Sequence, residues 1–312
     1  MRAAWRRLGH LPLDTARASW AVTHAALPVT EPLGHNQFAL YLSLRDKDGR
    51  ARIGRTVLTM SDRPALAALD SDPIVDLGPL GAFDDSGVTT SCLVTTGRTR
   101  LLYYTGWSRG VTVPFYLAAG VAASEGGGPF ERITLAPLLD RSPTDPFLTA
   151  SPFVLVDEGR WRMWYVSATE WRPHDSGPRH YYNIRYAEST NGLTWRRDGT
   201  TCLDYASTDE HAFARPWVIR DRRGYHMWFA VRGDRYRIDY AHSTDGKTWT
   251  RRSEIGLTAG ADEWENEMVE YPCVFEWNRR RYMLYNGNDY GRTGVGLAVL
   301  DDENAGRAAA QG

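Results

Sequence analysis

Residues 151–165 read SPFVLVDEGRWRMWY, and residues 215–229 read RPWVIRDRRGYHMWF. In each, an apolar stretch opened by a residue–proline pair runs into a polar turn, then into a second stretch ending in adjacent aromatics. A related segment follows each one, RYAESTNGLTWRRDG at 185–199 and DYAHSTDGKTWTRRS at 239–253. Asn191-Gly192 and Asp245-Gly246 are strong hairpin signals, because both residue types tolerate positive φ. The segments after them, led by Trp195 and Trp249, supply a fourth strand. One unit is therefore four antiparallel strands.

The aromatic strand recurs as Leu102-Tyr103-Tyr104, Met163-Trp164-Tyr165, Met227-Trp228-Phe229 and Met283-Leu284-Tyr285, with a weaker copy at Leu40-Tyr41-Leu42. Five such units at near-regular spacing predict an all-β, five-bladed β-propeller with four-stranded antiparallel blades. The fifth unit ends after its third strand, Gly294 to Leu300. Ala4-Trp5-Arg6-Arg7-Leu8-Gly9 reads like Thr194-Trp195-Arg196-Arg197-Asp198-Gly199, so the N-terminal strand is predicted to complete blade five and close the ring. A single domain is expected over 1–302, with a flexible tail over 303–312. Arg63 to Leu69 is expected as a loop or a single turn.

With 12 Trp and 16 Tyr, the composition favours strands and offers flat rings for a sugar pocket. A net charge of −1 and the absence of a basic stripe argue against a nucleic-acid partner. Cys92, Cys202 and Cys273 have no zinc-site spacing, and no metal or cofactor is predicted. No segment is apolar enough for a membrane span or for the core of a signal peptide, so the expected compartment is the cytoplasm.

The first strand of each blade faces the axis, so its opening residues should converge: His24 to Pro28, Thr90-Ser91, Ala150-Ser151, Ala214-Arg215 and Glu270-Tyr271. Acidic residues stand just ahead of these strands, namely Asp84 and Asp85, Asp209 and Glu210, and Glu265 and Glu267. Each has a plain alternative as a solvated loop residue. Trp107, Trp171, Asn286 and Asn288 follow the aromatic strands, where they could meet a ligand or wedge between blades.

The repeat resembles the five-bladed superfamily of invertases, levansucrases, arabinanases and xylosidases over nearly the whole chain. Phe83-Asp84-x-x-Gly87-Val88, Tyr103-Tyr104-Thr105-Gly106-Trp107, Ala214-Arg215-Pro216 and Tyr285-Asn286-Gly287-Asn288-x-Tyr290-Gly291 are similar to a glycosidase-like branch associated with glycan biosynthesis. The resemblance implies a pocket on the axis. It also implies two axial aspartates and a glutamate, one carboxylate attacking or activating water and another protonating the leaving oxygen. This chain departs from that pattern: Thr90-Ser91, Ser151-Pro152 and Arg215-Pro216 stand where an axial Asp-Pro is usual, and Asn36 stands near the expected nucleophile.

Two functions fit these residues. One is a carbohydrate-active enzyme, hydrolase-like or transferase-like, with Glu270 or Glu267 as acid and Asp84 or Asp85 as second carboxylate. Its substrate would be held by His24, Trp107, Ser151, Trp171, Glu210, Arg215, Tyr271, Asn286 and Asn288, and an axial Arg215 suggests an anionic small molecule or glycan. The other is a non-hydrolytic propeller: a glycan- or metabolite-binding protein, or a cyclase or isomerase using general acid catalysis.

Overall fold

The computed structural model describes residues 4–301; the tail expected at 303–312 lies outside the described residues. After an N-terminal strand β1 (Ala4–Leu11), the chain runs through antiparallel strand groups in sequence order. These are β2 (Thr23–Gly34), β3 (Gln37–Arg45), β4 (Ala51–Thr59) and β5 (Ala65–Leu66), then β6 (Gly87–Thr96), β7 (Thr99–Arg109), β8 (Phe115–Glu125) and β9 (Glu131–Arg132). They continue with β10 (Thr149–Asp157), β11 (Arg160–Arg172), β12 (Arg179–Ser189) and β13 (Arg196–Leu203), then β14 (Ala212–Asp221), β15 (Gly224–Arg232), β16 (Tyr236–Ser243) and β17 (Thr250–Arg251). The last group is β18 (Glu270–Trp277), β19 (Arg280–Asn286) and β20 (Val295–Asp301). β1 pairs antiparallel with β20, Trp5 opposite Leu300, so the chain's first strand sits where the other groups place their fourth. The segment expected as a loop from Arg63 to Leu69 contains β5, which pairs with the end of β4.

The middle strands are the most buried, because each packs between its own sheet and the next. Tyr103, Trp164 and Trp228 are almost wholly enclosed, and burying rings of this size contributes about 2–3 kcal/mol apiece. The hairpin turns dock onto them. Trp164 Nε1 donates to the carbonyl of Gly246 (2.7 Å), and the Tyr103 hydroxyl donates to that of Gly192 (2.9 Å). Both glycines have positive φ (+79° and +76°), which is why Asp-Gly and Asn-Gly stand there.

A second repeat locks the outer strands. Asp84 accepts from Tyr104 Oη (3.0 Å) and Arg132 Nε (2.8 Å), and Asp145 accepts from Tyr165 Oη (3.1 Å) and Arg197 Nη1 (3.0 Å). Glu265 accepts from Tyr285 Oη (2.9 Å) and Arg7 Nε (2.9 Å). In the β14–β17 group the aromatic is Phe229, which has no hydroxyl, and Glu210 takes Arg251 and Arg237 instead (both 2.7 Å). Each acid is buried, and a buried carboxylate persists only when paired.

Every first strand is bulged at the same place. Leu27-Pro28, Ser151-Pro152, Arg215-Pro216 and Tyr271-Pro272 each fall in a gap of the ladder, and Ser91 is the extra residue between Thr90 and Cys92. Leu27, Ser151, Arg215 and Tyr271 have φ of +47° to +55°. Such left-handed conformations cost about 1–3 kcal/mol each and cluster at functional sites. The last group also meets the first: Asn286 accepts from Leu27 N (2.9 Å) and donates to Ala25 O (2.7 Å), and Phe38 packs on Phe275.

Candidate functional site

Antiparallel order puts the start of a first strand, the end of a second and the start of a third at one end of each sheet. There they surround a cavity of about 480 Å³. His24, Ser151 and Tyr271 come from first strands and Arg45, Trp107 and Arg232 from second strands; Phe115, His180, Tyr182 and Tyr236 come from third strands. Tyr290 joins them from Asn288–Gly291, a turn in which Asp289, Tyr290 and Gly291 are all left-handed (φ +54°, +61° and +82°). A Cβ on Gly291 would lie 2.7 Å from Asn286 Nδ2 and 2.9 Å from Ala26 Cβ, so only glycine allows this turn to pack.

Rings dominate the wall. Tyr236 packs against Tyr271 and Tyr290 (6.4 and 6.1 Å between centroids), and His180 stacks on Tyr182 at 4.2 Å. Burial holds the hydroxyls of Tyr182, Tyr236 and Tyr271 far above the usual phenol range, so they stay protonated as donors. Burial, helped by nearby positive charge, lowers His24 to about 4 and His180 to about 3, so both imidazoles are neutral near physiological pH. Arg232 donates to Tyr290 Oη (2.7 Å) and lies over the rings of Tyr236 and Tyr290.

Glu270 is completely buried next to Tyr271; neither carboxyl oxygen makes a hydrogen bond of regular geometry among the described residues, and the donors that face it are the Tyr271 hydroxyl and the Tyr290 amide. Burial pushes its pKa well above the carboxylate range, against the pull of Arg232. Its electrostatic neighbours Arg232, Tyr236 and Tyr271 all line the cavity, although Glu270 itself does not. It is a fully buried acid held against the wall of the cavity, with burial opposing its ionisation.

Of the residues singled out in the sequence, His24, Trp107, Ser151 and Tyr271 line the cavity. Trp171 packs beside it, edge-on to Phe115 and His180. The other carboxylates are placed elsewhere. Asp84 and Glu210 are the buried ion pairs described above, Asp85 accepts from Gly81 N and Ser86 Oγ in a turn, and Glu267 is exposed and paired with Arg235. Asn286 ties β19 to β2, and Asn288 ties the left-handed turn to the 263–268 loop through Glu263 O, Glu267 N and Met268 N.

Arg215, expected to face a ligand, does not line the cavity. Its guanidinium is 1% exposed and donates to Thr90 O and Pro28 O, both at 2.6 Å, joining β14 to β6 and β2. Burial lowers its pKa to about 10, and it remains a cation held by two carbonyls, its Nε without a partner among the described residues. Sequence reading missed Arg45, His180, Tyr182, Arg232 and Tyr236, because it followed first-strand openings. The signal was the same position read on the second and third strands.

The fold is that of the propeller glycoside hydrolases. A glycosyl hydrolase from Bacteroides ovatus superposes with a TM-score of 0.68 over 91% of this chain and 86% of its own, at 14% identity. A thermostable family-43 glycoside hydrolase gives 0.63 over 92% and 91% at 15% identity. An endo-arabinase from Bacteroides thetaiotaomicron gives 0.62 over 93% and 97% at 12% identity. No protein-family model matches the chain. In sequence it is 42% identical over 300 residues to uncharacterized protein Rv1502 of Mycobacterium tuberculosis (strain ATCC 25618 / H37Rv), covering 96% of this chain and 100% of that protein. The chain belongs to the family of Rv1502.

Proposed function

We propose that this protein is a carbohydrate-active member of the glycosidase-like propellers, binding one sugar unit or a short glycoconjugate in the cavity and acting on it by general acid chemistry. The observation that carries the proposal is the fully buried carboxyl of Glu270, whose pKa burial raises, held against an aromatic cavity of ligand size. Glu270 is the proton donor. Tyr271, its neighbour in the chain and part of the cavity lining, gives its hydroxyl proton to the ligand and takes that of Glu270 in its place.

A second, non-hydrolytic function is favoured by one observation: no Asp or Glu lines the cavity among the described residues. Ordinary glycoside hydrolysis needs a second carboxylate as nucleophile or base. The chemistry that fits a lone acid is isomerisation, cyclisation or ligand capture.

We also read the strand groups as five blades, with β1 as the outer strand of the last. Support comes from Arg7, which meets Glu265 as Arg132, Arg197 and Arg251 meet their acids from β9, β13 and β17.

A glycan array probed with the wild type and with Trp107→Ala tests the sugar assignment. Retention of a defined glycan by the wild type and its loss in the variant are expected. No difference between the two on any glycan overturns the assignment.

A further inference from the structure

The arginines of this chain are mostly neutralised where they are partly buried. Arg7 faces Glu265, Arg52 faces Asp46 and Asp76, Arg132 faces Asp84, Arg251 faces Glu210 and Asp239, and Arg281 faces Asp221 and Glu276. Arg45 and Arg232 differ. Both are partly buried and line the cavity, and neither has a carboxylate within ion-pair distance among the described residues. Arg45 comes from the end of β3 and Arg232 from the end of β15, so the two charges enter from separate sheets.

Among the described residues, no acidic side chain in the lining offsets them. The cavity wall carries two guanidinium charges, neutral imidazoles and tyrosine hydroxyls, in a chain whose net charge is −1. Burial opposes the ionisation of Glu270, the carboxyl that acts on Arg232, and the other carboxyl nearby, Asp289, acts on His24 without lining the cavity. Unpaired positive charge enclosed by low-dielectric walls concentrates an anion, and a guanidinium's planar fork matches the oxygens of a carboxylate or phosphate. Arg232 is also pre-oriented, its Nη1 held by Tyr290 Oη at 2.7 Å.

Resting on the carbohydrate assignment above, we infer that Arg45 and Arg232 form the anion subsite of this cavity, and that the substrate is an acidic sugar derivative carrying a carboxylate or a phosphate. The aromatic wall around Trp107 and Tyr236 takes the ring, and the two arginines take the charged substituent.

Calorimetric titrations with glucuronate, glucose 6-phosphate, inorganic phosphate and glucose test this on the wild type, Arg45→Gln and Arg232→Gln, with thermal melting to establish that each variant is folded. The wild type should bind at least one acidic probe, with glucose at least about tenfold weaker, and each variant should lose about tenfold or more for that acidic probe. Preference for glucuronate identifies the carboxylate source, and preference for glucose 6-phosphate the phosphate source. If the wild type binds none of the acidic probes, or if both folded variants bind them as the wild type does, the subsite is overturned. If inorganic phosphate binds through both arginines as tightly as either acidic sugar, the anion subsite stands while the acidic-sugar substrate and the carbohydrate assignment fall. Should Arg232→Gln misfold, Arg232→Lys keeps the charge without the fork and must still show the loss.

Discussion

Arg7 Nε donates to both carboxylate oxygens of Glu265, at 2.9 and 3.0 Å, joining residues 258 positions apart. Arg7 Nη2 also reaches the carbonyl of Thr258, and Trp5 Nε1 donates to Ile255 O at 3.1 Å. The start of the chain is thereby fastened to its last third by side chains as well as by the β1–β20 ladder. Removing one partner of a buried pair strands the other charge. Arg7→Met should therefore cost about 3 kcal/mol in stability, measured by urea unfolding. Deleting residues 1–13 should cost more, because it also bares the edge of β20. A truncated protein that unfolds like the full-length chain would refute the fastening.

Glu270→Gln preserves shape and removes the transferable proton. On a substrate established by the binding screens, turnover should fall by about 10²–10⁴, with the fold retained. Tyr271→Phe should reproduce much of that loss. Turnover unchanged in Glu270→Gln would falsify the acid role.

Stability supplies a test of Glu270 that needs no substrate. Its folded-state pKa is raised above the ordinary carboxylate value, so the native state binds the proton more tightly than the unfolded chain. That contribution is complete below the unfolded pKa and is lost as pH rises through the folded one. Glu270→Gln cannot ionise, so its stability relative to wild type should increase as pH rises from acid to alkaline. A constant difference across the range would show that Glu270 does not titrate as a buried acid.

Arg215→Lys should damage the fold more than ligand binding. A lysine cannot reach the carbonyls of Thr90 and Pro28 together, and losing one or two charge-assisted bonds costs about 3 kcal/mol. Parallel melting and titration with whichever ligand binds decide the matter: a large drop in affinity with an unchanged melting temperature would return Arg215 to the site.

Acid should weaken the outer-strand locks. Burial alone would raise Glu210, but hydrogen bonds from Arg251, the Ala206 amide and Arg237 bring it down to about 2. A depressed pKa gives stability that is present above the unfolded value and fades as pH falls towards the folded one. Glu210→Gln should therefore be about 3 kcal/mol less stable than wild type near neutral pH, the gap closing as pH approaches about 2. A gap independent of pH would mean that the variant fails by packing and not by charge.

The fold was legible because its units repeat. Met163-Trp164-Tyr165 and Met227-Trp228-Phe229 announce the middle strand, Asn191-Gly192 and Asp245-Gly246 announce the turn, and Trp5 among arginines matched Trp195 well enough to place β1. The site was less legible, because a carboxylate ahead of a strand looks the same whether it meets substrate or an arginine. Asp84, Glu210 and Glu265 each meet an arginine from a fourth strand, Arg132, Arg251 and Arg7, whereas Glu270, five residues beyond Glu265, meets none. Tyr236 and Arg232 lie where β15 turns into β16, a hairpin whose sequence carries no mark of the cavity.

The residues set off by the first-strand bulges lie outside the pairing ladder, and that frees them from a constraint the rest of each strand obeys. Leucine, serine, serine, arginine and tyrosine occupy equivalent places in one molecule, so the architecture does not dictate which side chain stands there. At Leu27, Ser151, Arg215 and Tyr271 the conformational penalty belongs to the left-handed backbone and falls alike on leucine, serine, arginine and tyrosine. Inheritance can therefore rewrite these positions without shifting a strand's register, and relatives sharing this scaffold can diverge in chemistry there while their ladders stay aligned.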